Sequence, residues 1–242
     1  MSAAPHPLEG LPKAANGTNV ADALRLAILD GSLPPGTRLA QPQVARLFGT
    51  SRTPVREALH KLHSWGLVDL IVNHAALVRH IGPDQYSNAF AVWSELAALA
   101  VELTVAHDAD VTPDLREVIQ AEWAVIEETT HAVRQSRHIG ERWIAAQRAF
   151  HEALIAGSKS ERLRETIDTT TELMRWEAIW KAVADRPHPL RSAVTRHEEM
   201  LVLIERKDGA HAATTMRQHI EELREALVAW LARPIESNHN GN

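Results

Sequence analysis

Residues 33–70 read LPPGTRLAQPQVARLFGTSRTPVREALHKLHSWGLVDL, and their punctuation divides them into a turn and two short helices. The tandem prolines followed by Gly36 force a turn into a short extended piece. From Gln41 to Phe48 the apolar residues Val44, Leu47 and Phe48 keep helical spacing until Gly49 interrupts it. A second helix follows at once, with Thr53 placed as its cap, Pro54 at the first helical position, and Val55, Leu59 and Leu62 as the buried stripe up to Gly66. Two short helices across a tight turn make a helix-turn-helix. Beside the stripe lie Arg52, at the N-terminal edge, Arg56 one turn on, and His60, with Glu57 as the nearby acid. In such a motif the start of the second helix enters the DNA major groove, where guanidinium groups pair with guanine edges or grip phosphate. A small helical domain with ordinary surface arginines gives the same pattern, so the residues by themselves leave both readings open.

The flanks complete a module over residues 18–82. Upstream, Val20, Ala23, Leu24, Ala27 and Ile28 recur at helical spacing, with Asn19 or Thr18 as cap and Gly31 as stop. Downstream, LVDLIVNHAALVRHI reads as two strands around Asn73-His74-Ala75, the shape of a wing. Residues 1–17, rich in Ala, Pro and Gly without an apolar period, are expected to form a flexible arm.

A length of 242 residues predicts two modest domains, each able to bury its own core. The net charge of −5 is unevenly spread: residues 18–82 carry +3, and the chain from Pro83 onward carries −8. A basic module on an acidic partner domain suits a nucleic-acid reader with a second, separate task. No apolar run approaches the roughly 20 residues that span a bilayer, so no membrane partner is expected. The N-terminus lacks the basic start and apolar stretch of a signal peptide, and the chain has no cysteine. The expected compartment is the cytoplasm, and the composition excludes thiol catalysis, cysteine-zinc sites and iron-sulfur clusters.

The run over residues 33–70, and above all SRTPVREAL from Ser51 to Leu59, closely resembles the DNA-binding domain of the GntR superfamily. That resemblance covers nearly all of residues 18–82. It implies a winged helix-turn-helix in which Arg52 and Arg56 are the principal DNA contacts, with Arg46 and Thr53 as lesser ones. It also implies a homodimer on a short palindromic operator of double-stranded DNA. Family members commonly carry an acid around Gln41 or Gln43 and a branched residue at Thr50, departures that leave the operator sequence open.

Beyond Pro83 no strand is expected, and breakers divide the chain into about six helices near residues 84–106, 113–134, 139–156, 160–184, 190–206 and 210–232. The fold class is therefore mainly α: a winged helix-turn-helix followed by an all-α antiparallel bundle over residues 83–233, with 234–242 as a flexible tail. The stretches AFHEALIAGSKSERL (149–163) and RHEEMLVLIERKDGAHAATTMRQHI (196–220) resemble the effector-binding, dimerising FCD domain of the FadR-like subgroup. In many such domains an aspartate and three histidines hold a divalent metal at the floor of an effector cavity. The histidines map onto His151, His197 and His219; the aspartate's position, four residues before His151 on the same helical face, is Gln147. A neutral amide is a poor ligand for zinc, nickel or manganese, although three imidazoles alone hold zinc in open catalytic sites. A weaker site, one selective for a softer ion, and a vacant one all remain open.

A second departure concerns the effector. FCD domains often carry an anion-gripping arginine in their first helix, where this chain has Trp93 and Ala97. With Arg175 and Trp176 placed mid-helix, the expected effector residues are Arg175, Trp176, Trp93 and Gln147, and the ligand is a carboxylate or an aromatic compound. Three functions follow: an effector-controlled transcription regulator, expected as a repressor; a metal-dependent enzyme using the histidines; and a constitutive DNA-binding protein with an inert pocket. The first is preferred and no enzyme is expected, because the matched motifs supply no general base.

Overall fold

The computed structural model describes residues 19–72, 75–131, 137–174, 176–184 and 187–232. The expected arm at 1–17, the wing-tip residues Asn73 and His74, the candidate effector residue Arg175 and the expected tail at 234–242 lie outside the described residues. The chain divides into two compact units between Gly82 and Pro83.

The first unit runs α1 (Val20–Leu29), β1 (Arg38–Ala40), α2 (Gln41–Phe48), α3 (Arg52–Ser64), β2 (Val68–Ile71) and β3 (Ala75–Val78). Asn19 caps α1 by accepting the Ala21 N–H at 3.0 Å. Gly49, left-handed at φ 61, stops α2 and turns the chain towards α3. The cap of α3 is one correction to the sequence reading: Ser51, not Thr53, is the extended residue before the helix, and Arg52 is its first residue. Pro54 is tolerated there because none of the first four helical N–H groups has an intrahelical acceptor. The three strands pair antiparallel in the order β1-β3-β2, with Arg38 opposite Leu77 and Val68 opposite Val78. Leu24, Leu33, Leu39, Val44, Val55, Leu59, Leu62 and Leu67 form the core. Both α1 and α2 pack on α3, which buries one side of it and leaves Arg52, Thr53, Arg56 and His60 exposed.

Helices are the only regular elements among the described residues of the second unit: α4 (Pro83–Ala106), α5 (Thr112–His131), α6 (Arg137–Gly157), α7 (Glu161–Thr171), α8 (Trp176–Ala184), α9 (Pro187–Glu205) and α10 (Gly209–Leu231). The expected single helix over 160–184 is two. Thr169, Thr170 and Thr171 turn their hydroxyls back onto the carbonyls of Glu165, Thr166 and Ile167, and regular helix ends there before resuming at Trp176. Thr112 is the first residue of α5. Asp208 caps α10, accepting the His211 N–H.

Helix α10 packs along α4 and α9, and α5 lies against α6 and α9. The α4–α6 contact is close: the buried Thr104 hydroxyl donates at 2.8 Å to the Leu154 carbonyl. A side chain at Gly157 would come within 2.8 Å of Thr104 and Val111. Among the described residues α4 alone is long and apolar enough to cross a bilayer. Its residues Phe90, Trp93, Ala98 and Val101 are buried against other helices, the setting of a core helix.

Candidate functional site

Stability alone would place acids at the start of α3, where the helix dipole is positive. Its first turn has none, and Arg52 and Arg56 instead stand exposed one turn apart. Thr53 is exposed between them. Arg46, in the last turn of α2, is exposed too and reaches back 3.4 Å to the Pro42 carbonyl. The four residues named from the sequence therefore lie on the accessible sides of the two helices, with Val55, Leu59 and Leu62 anchoring α3 from beneath.

In the second unit three helices bring the named histidines together. His151 comes from α6, His197 from α9 and His219 from α10; all are buried, and one ring nitrogen of each lies within 4.8 Å of the others. Nε2 of His197 is 3.3 Å from Nε2 of His219. That spacing equals the edge of a tetrahedron built from zinc–nitrogen bonds of about 2.0–2.1 Å, roughly 3.3 Å. Nε2 of His151 and Nδ1 of His219 are buried with no hydrogen-bond partner. Burial holds the His197 imidazole down to about 3. Burial holds His151 and His219 well below the usual histidine range, reinforced at His151 by His219 and His197 and at His219 by His197 and the Arg196 guanidinium. All three are neutral near pH 7, which is the state that donates to a metal. Donor chemistry, spacing and orphaned nitrogens together fit a divalent cation.

Beside the histidines stands a group absent from the sequence reading. Glu122 of α5 is completely buried, 2.8 and 3.0 Å from Nδ1 of His197, and its Oε1 accepts the Gln147 amide at 2.6 Å. The His197 contact has ion-pair geometry, yet burial drives both partners towards neutrality: the imidazole downward, and the Glu122 carboxyl well above its ordinary value with Glu198 adding to the rise. It is a hydrogen bond. Gln147, fully buried, keeps its Oε1 without a donor. The sequence did hold a signal, because Leu115, Ile119, Glu122 and Ile126 form one buried stripe of α5 in which the acid is out of place.

An aromatic wall adjoins the cluster. Trp93 of α4 is buried with its ring 5.1 Å from that of His151, and Trp176 of α8 meets Trp93 edge-on at 5.6 Å. Other tryptophans are engaged elsewhere: Trp143 packs on Trp180, and Trp123 donates to Glu198. Glu152 pairs with Arg164 on the surface, so neither acid adjacent to a histidine in sequence turns towards the cluster.

A model of the FCD domain matches residues 90–222, and a model described as bacterial regulatory proteins of the gntR family matches residues 16–78. The chain belongs to the GntR family. Among GntR-type relatives, the probable D-xylose utilization operon transcriptional repressor of Paenarthrobacter nicotinovorans is 24% identical over 227 residues, covering 91% of this chain and 89% of that one. The transcriptional repressor RspR of Escherichia coli K12 is 24% identical over 209 residues, 84% of this chain and 85% of its own. The solved structure of E. coli McbR/YncC superposes with a TM-score of 0.60 at 25% identity, over 88% of this chain and 94% of that one. As a GntR protein with an FCD domain, the chain is a DNA-binding transcription regulator.

Proposed function

We propose that this regulator is a cytoplasmic homodimeric repressor whose grip on a short palindromic operator is set by a small molecule bound in the FCD domain. Arg52 and Arg56 read the major groove, while Arg46 and Thr53 hold the phosphate backbone. His151, His197 and His219 hold one divalent ion such as zinc per subunit, and that ion would supply a positive centre for an anionic group. Trp93, Trp176, Arg175 and Gln147 contact the effector; the tryptophans favour a planar carboxylate, one carrying an aromatic or unsaturated body.

The observation that carries this reading is the convergence of three buried, neutral imidazoles from three helices, with orphaned nitrogens, beside an aromatic wall. The domain names of the family and the repressor names of relatives support the regulatory half. An enzyme reading has less support: Glu152 and Glu198 are engaged at the surface, and the one described acid at the histidines, Glu122, is committed to His197 and Gln147. Selection of bound duplexes from a random pool, followed by metal analysis and native mass spectrometry of protein purified without chelator, tests it. Enrichment of a palindrome by a metal-loaded dimer is expected. Failure to enrich any sequence removes the operator half, and protein that takes up neither zinc, nickel nor manganese removes the metal half.

A further inference from the structure

The metal reading leaves a charge unaccounted for. A divalent ion held by three neutral imidazoles stays doubly positive in a buried site, and burial of uncompensated charge is costly. Position 147 supplies only an amide. Resting on the three-histidine reading, we infer that Glu122 supplies the missing negative charge from one bond further out: its carboxylate holds Nδ1 of His197 and is itself held by the amide of Gln147.

The geometry makes the two substitutions a matched pair. A divalent ion in the site would offset the burial that otherwise keeps Glu122 neutral; Nδ1–H of His197 then donates to the carboxylate at 2.8 Å, which leaves the Nε2 lone pair facing His219 and the metal position. A carboxylate behind a ligating imidazole fixes its tautomer and ring orientation and raises its basicity. Gln147 suits this arrangement because its Nε2 donates to Glu122 at 2.6 Å. An aspartate at 147 has no such donor and would set two buried carboxylates in contact, where only one can ionise readily. Acid at 147 with a neutral neighbour, or amide at 147 with acid at 122, are alternative ways of placing one negative charge beside three histidines. Glu122 is thus a positioning and charge-balancing residue rather than a ligand.

The test measures zinc affinity of the full-length protein by competition with a chromophoric chelator, for wild type, Glu122→Gln, Glu122→Gln with Gln147→Asp, and His219→Ala. Glu122→Gln should bind zinc about 10–100-fold more weakly, the loss typical of a partner behind a ligand. Adding Gln147→Asp should restore most of the affinity, a rescue that general damage to the core would not allow. His219→Ala should abolish binding. If Glu122→Gln binds within two-fold of wild type while His219→Ala fails, this inference falls and the three-histidine site stands. If wild type takes up no zinc, both fall. A second measurement needs no variant to fold: in zinc-loaded wild type, nitrogen-15 spectra should show His197 protonated at Nδ1 and metal-bound through Nε2. Ligation through Nδ1 overturns the inference.

Discussion

Phe150 lies flat on His197, with ring centroids 3.6 Å apart and planes 5° from parallel. The two residues sit on α6 and α9, so one aromatic face fixes the tilt of an imidazole contributed by another helix. Phe150→Ala should cost about 3–5 kcal/mol of stability in urea unfolding, as expected for truncating a fully buried phenylalanine. Phe150→Leu should keep the fold yet weaken zinc binding, since the ring plane is no longer held. Equal zinc affinity in Phe150→Leu would show that the stack is packing alone.

Arg52→Ala and Arg56→Ala should each weaken binding to the selected operator by roughly 10–100-fold and relax base preference, the behaviour of a lost contact to a base edge. Arg46→Ala should weaken all sequences alike and lower the salt slope by about one. Fluorescence anisotropy across a salt series separates the two patterns. A uniform loss in Arg52→Ala would reassign that residue to the phosphate backbone.

Gly157→Ala should destabilise the second unit by about 1–3 kcal/mol, because its new Cβ would meet Thr104 and Val111 at 2.8 Å. Alanine normally favours a helix over glycine, so a gain in stability would mean that the α4–α6 contact relaxes freely.

Asp208 predicts an acid-sensitive helix start. Hydrogen bonds from the His211 side chain and backbone hold its carboxyl below the usual value. The folded chain therefore releases this proton at a lower pH than the unfolded chain. The stabilisation is present above the ordinary aspartate range and is lost as pH falls through the depressed value. The Tm difference between wild type and Asp208→Asn should be larger at pH 7 than at pH 3; a difference independent of pH would count against it.

The first unit was legible because its signals are local. Asn19, Gly49 and the Val55, Leu59, Leu62 stripe each act within a few residues of themselves, and even the error over Ser51 and Thr53 is a matter of two positions. The three histidines were legible only through resemblance, since nothing in the spacing of 151, 197 and 219 says that α6, α9 and α10 converge. Glu122 lies 25 residues from Gln147 and 75 from His197. Its place in the apolar stripe of α5 marks it as buried, but its partners exist only after tertiary packing. The break before Trp176 was hidden for another reason: Ile167, Met174 and Ala178 keep an apolar spacing across it, while the threonine hydroxyls that end α7 leave no mark on that period.

Glu122, Gln147, His151, His197 and His219 gather most of the buried polar residues among the described residues of the second unit into one place where α5, α6, α9 and α10 meet. Elsewhere these helices meet through aliphatic and aromatic side chains and through more exposed pairs such as Arg196 with Glu222 and Arg116 with Glu205. Four helices thus share a single rivet whose tightness depends on what surrounds the protein. An ion bound there at a hundred times its Kd would add about 2.7 kcal/mol to the unit as a whole. Chelation would then loosen the bundle from its centre outward, and hydrogen exchange would quicken along all four helices together.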